Sequence, residues 1–430
     1  MLNVKNPLVK KVIEVQNRNH SSVVAQKGIY GTGTGLDEDG NIVIRVYTTG
    51  ADSPTIPKTI EGIPVLEVMT GPIHQAQGSG KPQQQQRITH PVPIGVSIYF
   101  ANSCNGTAVG TLGCRLRDQL GNTYILSSNH VLCQDSVRYS IGPPPFTAAY
   151  VNMYPTFTQV LSGNPSTFQA TILGAAAVSI VQPAPIDENC ILPQPLTDTI
   201  GTLFAFVPFN DQTVPPTPPP VTNVNGTTTT FAPIIPPPPN QVDAAIAKVS
   251  AADVDTGTPP DGYGVPTSNL VVASLGLNVQ KYGRTTGQTF GQVVAVNVTT
   301  NNPSLTINLP FTGNPVPQVP KATAANTSVV PTALVTFTNE VEINPTGSSA
   351  SFAQAGDSGS LVVDMSNNPV ALVRAFAGGS VFCGDITEVI FELQQQMVNI
   401  ILTVDSSPSF RFSSRDGKLG TANPTPPGSP

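Results

Sequence analysis

Residues 356–363 read Gly356-Asp357-Ser358-Gly359-Ser360-Leu361-Val362-Val363. A serine between glycines, one residue after an aspartate and just before an apolar strand-like run, is a hydroxyl set on a tight turn. Acyl transfer asks for that arrangement. The amides of Gly356 and Ser358 must converge on the oxygen that becomes negative, and glycine permits the backbone angles this needs. Small polar residues also fill ordinary turns, so the stretch takes its meaning from what stands upstream.

Upstream, the chain holds four histidines: His20, His74, His90 and His130. His130 closes the run Tyr124-Ile125-Leu126-Ser127-Ser128-Asn129-His130, which follows Gly113–Asp118 and the turn 119–122. That pattern predicts a β-hairpin whose second strand ends at a histidine, a place where a general base is rigid and reachable. A satisfied buried histidine is the plainer alternative. Asp243 heads the small apolar run Val242-Asp243-Ala244-Ala245-Ile246-Ala247. A carboxylate there is poorly solvated unless it meets a partner, and the ring of His130 is the candidate. A strand-cap aspartate is the alternative, and Asp187, Asp198 and Asp211 compete from turn-like settings. The chain order is His, Asp, Ser.

In that order, Ser-Asn-His-Val, Val-Asp-Ala-Ala-Ile-Ala and Gly-Asp-Ser-Gly-Ser resemble motifs of trypsin/chymotrypsin-like serine peptidases. Gly283-Arg284-Thr285-Thr286-Gly287 is similar to a segment of the bacterial α-lytic and streptogrisin-type enzymes. With Gly110-Thr111-Leu112-Gly113 it also resembles a narrow-leaf-type trypsin-like group. The resemblance spans residues 91–400. It implies a mainly β, chymotrypsin-like double β-barrel carrying His130, Asp243 and Ser358 as a triad, with Gly356 and Ser358 as the oxyanion hole. It also implies that a cation faces the buried Asp357, and nominates Arg284. A rival partner is the amine that cleavage between Arg87 and Ile88 would free. Arg284→Ala is expected to disorder the Gly356–Ser358 loop. Phe352 and Ala353 fall where the base of a specificity pocket is expected, and Phe376-Ala377-Gly378 where the substrate-pairing edge strand is expected. With no carboxylate at the base, small or apolar side chains are the expected preference.

Around this body, residues 1–73 predict a small α/β domain: apolar positions near helical spacing from Leu8 to Val15, then strand-like runs. Residues 74–90 read as a linker, 91–405 as the peptidase domain with a C-terminal helix over Ile386–Ile401, and 406–430 as a disordered tail. An insert over Ser140–Ala177 and a proline-rich insert over 211–240 both fall between His130 and Asp243. Charged residues make up 11% of the chain, against roughly 25% in average soluble proteins. With 20 Lys and Arg, a net charge of −6 and no basic cluster, a nucleic-acid partner is not expected. No apolar run suits a membrane span or a signal peptide, so a cytoplasmic or non-classically exported protein is expected. The five cysteines lack metal-type spacing, and neither metal nor cofactor is expected. Cys114 and Cys133 flank His130 as a candidate bridge; isolated buried thiols are the plainer reading. The expected activity is a serine endopeptidase acting on protein or peptide substrates. The alternative is a non-catalytic binding or scaffold protein on the same fold.

Overall fold

The computed structural model describes residues 2–49, 56–70, 74–75, 83–100, 109–132, 137–141, 147–151, 158–160, 179–190, 198–207, 209–210, 221–222, 228–229, 238–306, 332–347, 351–397 and 399–408. The fold is mainly β, with few helices and two large curled sheets.

The first sheet runs in the order Leu402–Val404, Cys114–Asp118, Thr123–Ser127, Ala245–Val249, Thr199–Phe206, Ser179–Val181, Ser97–Phe100, Gly110–Thr111. Residues 110–113 draw its ends together. Leu112 donates to the Val96 carbonyl at 2.9 Å, and Gly113 donates to that of Leu126 at 2.9 Å. Successive side chains on these strands face opposite ways. Ile125, Ala245 and Ala247 enter the interior with Ile98, Leu132 and Ile200. Tyr124, Leu126, Ala244 and Ile246 turn outward, onto Leu361, Leu372 and the helix Ile386–Gln395. On Thr123–Ser127 and residues 244–247 both faces are covered, and neither stretch carries a charged side chain.

In the second sheet, Asn278–Gly283, Leu361–Asp364, Pro369–Ala377, Ser380–Asp385, Thr332–Pro345 and Gly287–Thr306 pair in that order. The first and last of these also pair with each other, Val279 opposite Gly291, which closes the ring into a barrel. Val279, Val293, Ile343, Phe352, Val362 and Val373 fill it.

Residues 29–69 do not stand apart from this barrel. Strand Ile29–Leu36 pairs antiparallel with Gly287–Thr306, and Ile42–Thr48, Ile63–Met69 and Thr59–Ile60 continue the same sheet. Gly31 allows the closest approach, since a Cβ there would run into the carbonyl of Thr299. The Arg45 guanidinium reaches Glu342 of the barrel at 2.9 Å, and the Tyr47 hydroxyl donates to the same carboxylate at 2.6 Å. The helix Pro7–Val24 begins at Asn6, whose side chain accepts from the amide of Leu8 at 2.9 Å, with proline in the first turn. It lays Val12, Val15 and Val23 on Ile29, Ile44 and Val46.

The C-terminal helix ends at Gln395, short of the expected Ile401. The chain there turns back as the strand Leu402–Val404 beside Cys114–Asp118. Residues 137–141, 147–151 and 158–160 pair into a small sheet that starts just before the first insert and is joined by 209–210 from beyond it. The rest of that insert, most of 211–237, and 409–430 lie outside the described residues. Cys114 and Cys383 are free buried thiols, whereas Cys190 is disulfide-bonded. The Cys114–Cys133 bridge is therefore not formed. No helix among the described residues is long and apolar enough to cross a membrane.

Candidate active site

Strand Thr123–Ser127 pairs with Ala245–Val249, Ser127 opposite Ala245 and Leu126 opposite Ile246. Extending that register two residues past the strand ends brings Asp243 level with the start of the short helix Asn129–Leu132. The ring Nδ1 of His130 lies 2.5 Å from Asp243 Oδ2, and the His130 backbone amide donates to Oδ1 at 3.2 Å. Both residues are buried. A carboxylate only accepts, so Nδ1 carries the proton and Nε2 is the basic nitrogen. The histidine expected at a strand end thus sits on the single helical turn after it.

Ser358 lies in the turn before strand Leu361–Asp364. Its carbonyl accepts from Thr111 N–H at 2.8 Å, and Gly359 donates to the Val373 carbonyl at 2.8 Å. Gly359 has φ +85° and leaves no room for a Cβ, which would meet Ser127 Oγ and the Thr111 carbonyl. Ser128 Oγ donates to the Val373 carbonyl at 3.1 Å. The Ser358 turn therefore presses on the two residues leading into Asn129 and His130. The Ser358 hydroxyl itself donates to the Arg374 carbonyl at 3.1 Å.

Asp357, fully buried, is where expectation and structure part. Its carboxylate accepts from the amides of Thr285 (2.8 Å), Thr286 (3.2 Å) and Gln354 (2.9 Å), and from Thr286 Oγ1 at 2.7 Å. The cation it meets is Lys281, at 3.4 Å, not Arg284. Arg284 instead forks onto Asp187, its Nε at 3.1 Å from Oδ2 and its Nη2 bonded to Oδ1. The reason is geometric. The 284–287 turn wraps its amides around Asp357, while Gly283, with no Cβ, lets the carboxylate lie against strand Asn278–Gly283. Lys281 projects from that strand, and Arg284 leaves on the side of the first barrel. Burial pushes the Lys281 ammonium below its ordinary value, with Asp357 opposing the shift. In the uncut chain Ile88 offers a peptide N–H and no amine, and that N–H donates to Gln182 Oε1 at 3.1 Å. A lysine within the otherwise uncharged run 278–283 was the available signal for Lys281.

Phe352 and Ala353 are buried in the interior of the second barrel, and the Phe352 carbonyl accepts from Thr289 Oγ1 at 2.6 Å. Phe376 and Ala377 lie on strand Pro369–Ala377, where the short strand His74–Gln75 of the same chain pairs antiparallel, Gln75 opposite Ala375 and His74 opposite Phe376. Gly378 follows at φ +55°, against the backbone of Thr70. Among the described residues no group of His, Cys, Asp and Glu is arranged to hold a metal.

No family model matches the chain, and no curated protein matches it. Several solved structures are similar to it. One is a glutamic acid specific serine protease, 15% identical over 73% of this chain and 100% of that one, with a TM-score of 0.34. Another is Thermobifida fusca protease A, 12% identical over 73% and 99%, with a TM-score of 0.35. A third is Cellulomonas bogoriensis chymotrypsin, 12% identical over 74% and 99%, with a TM-score of 0.32.

Proposed function

We propose that this protein is a serine endopeptidase that cleaves protein or peptide substrates through an acyl-enzyme. The observation that carries the reading is the buried His130–Asp243 pair at 2.5 Å, together with a glycine-flanked serine whose turn packs, at Gly359, against Ser127 and Ser128 just ahead of His130. Ser358 attacks the scissile carbonyl after its hydroxyl rotates from the Arg374 carbonyl toward His130. Nε2 of His130 takes the proton and returns it to the leaving amine. Asp243 holds the tautomer and stabilises the imidazolium, and the amides of Gly356 and Ser358 receive the oxyanion. Asp357 anchors the turn. The test is labelling by a fluorophosphonate probe, expected in the intact protein and lost in both Ser358→Ala and His130→Ala. No labelling of the intact protein sinks the reading.

A second reading, a binding or scaffold protein on this fold, is favoured by one observation. Ser358 is fully buried, with its hydroxyl turned to Arg374. Absent labelling, together with a stoichiometric protein partner on pull-down, would establish it.

A further inference from the structure

We infer that Arg284 and Thr285 are positioning residues that aim the Gly356 amide at the oxyanion; the inference rests on the hydrolase reading above. The Thr285 hydroxyl donates to the Ala355 carbonyl at 2.6 Å. In a trans peptide unit the carbonyl and the following N–H point in opposite directions. Drawing the Ala355 carbonyl toward Thr285 therefore turns the Gly356 N–H away from it.

Arg284 decides which way the hydroxyl proton points. Its Nη1 donates to Thr285 Oγ1 at 3.2 Å. A guanidinium has no acceptor, so the threonine proton is left for Ala355. Arg284 is itself clamped by Asp187, which also accepts from Ser97 Oγ at 2.5 Å and so belongs to the first barrel. The peptide unit after Gly356 is held from that barrel as well. Thr111 Oγ1 donates to the Gly356 carbonyl at 2.9 Å and accepts from the Arg284 N–H at 3.0 Å. Gly356, at φ +97°, fits between these groups only because it lacks a Cβ, which would lie 3.0 Å from Arg284 Nη1 and closer still to Thr285 Oγ1. Two threonines, one from each barrel, thus fix the two peptide planes that meet at Gly356. The arginine joins them.

Such a device acts on the transition state and not on substrate binding, because the oxyanion forms only as Ser358 adds to the carbonyl. The experiment compares Thr285→Val, which keeps the shape and removes the hydroxyl, with Thr285→Ser, which keeps the hydroxyl. Readouts are hydrolysis of p-nitrophenyl acetate, the rate of fluorophosphonate labelling, and the melting temperature. Loss of one oxyanion donor costs about 100- to 1,000-fold in kcat, so misaiming it in Thr285→Val is expected to cost roughly 10- to 100-fold. KM should stay within about twofold, labelling should slow in parallel, and Thr285→Ser should keep near-wild-type kcat. Unchanged kcat in Thr285→Val overturns the inference, as does a loss that Thr285→Ser shares. If the wild type itself fails to label, the hydrolase reading falls, and the inference falls with it.

Discussion

His130 Nδ1 and Asp243 Oδ2 meet at 2.5 Å, and the same carboxylate accepts the His130 backbone amide through its other oxygen. Asp243 thereby fixes both the ring and the turn of backbone that carries it. Asp243→Asn can present its NH2 to Nδ1 and so reverse the tautomer, leaving Nε2 protonated. The expected result is a fall in kcat of about 10⁴-fold, with near-normal far-UV circular dichroism. An Asn variant within tenfold of wild type would refute the assigned role.

Lys281 faces Asp357 where neither charge meets water. Lys281→Met leaves the carboxylate with its amide and hydroxyl donors but no cation. Breaking a buried pair costs about 3–5 kcal/mol, and the remaining donors place this case at the lower end. Urea unfolding measures it. Adding Asp357→Asn to Lys281→Met should recover part of the loss, and additive losses would show that the two side chains do not interact.

Acid should destabilise the fold in two separable windows. Burial alone would raise the Asp405 carboxyl, but hydrogen bonds from Ser407 and the charges of Arg115 and Arg117 outweigh it and hold the group below its ordinary 3.8. Its stabilisation is therefore complete above that value and is lost as pH falls through the lower folded-state value. Burial lowers the His20 ring from its ordinary 6.5. The unfolded chain then takes the proton first, so stability is full above 6.5 and declines as pH drops beneath it. Melting temperature against pH should show both slopes. Asp405→Asn should flatten only the window below 3.8, and His20→Gln only the one that opens at 6.5.

Arg45 and Tyr47 hold the buried Glu342 from a strand that precedes the barrel in sequence. Cutting the chain at a protease site engineered between residues 76 and 82 should therefore leave two pieces that co-elute on gel filtration. Arg45→Met is expected to cost about 3 kcal/mol or more, because it strands a buried carboxylate. Pieces that separate freely after the cut would contradict the shared sheet.

The strand pairing of His74–Gln75 with Ala375–Phe376 covers the edge expected to receive an extended peptide. A substrate that adds to that edge has to displace it. Replacing both residues with proline removes two amide donors and should lower KM for a peptide anilide, with kcat little changed. Hydrolysis of p-nitrophenyl acetate, too small to pair with a strand, should not respond. Equal effects on ester and peptide would argue against competition for the edge.

Much of the candidate site was legible because its groups are rare residue types in distinctive settings. Histidine occurs four times, and His130 alone closes an apolar β-run. Asp243 heads a strand with almost no other polar residue, and Ser358 stands between two glycines. The helix at 7–24 and the strands at 29–69 were readable from periodicity; their merger with the second barrel was not. Edge pairing between distant strands leaves no mark on local pattern, since any β-run bears the same donors and acceptors.

By itself, the amino-acid sequence determined which groups are available: an imidazole closing one apolar run, a carboxylate at the head of another, a serine on a glycine turn and, by what the resemblance implies, an aspartate in need of a cation. Only the tertiary structure decided which cation answers. Lys281 and Arg284 are three residues apart, and both are long enough to reach Asp357. The strand holding Lys281 and the turn holding Arg284 send them in opposite directions, one to Asp357 and the other across to Asp187. A charge pair inside a protein is selected by where the backbone aims its side chains, and strand register and turn geometry set that direction in three dimensions.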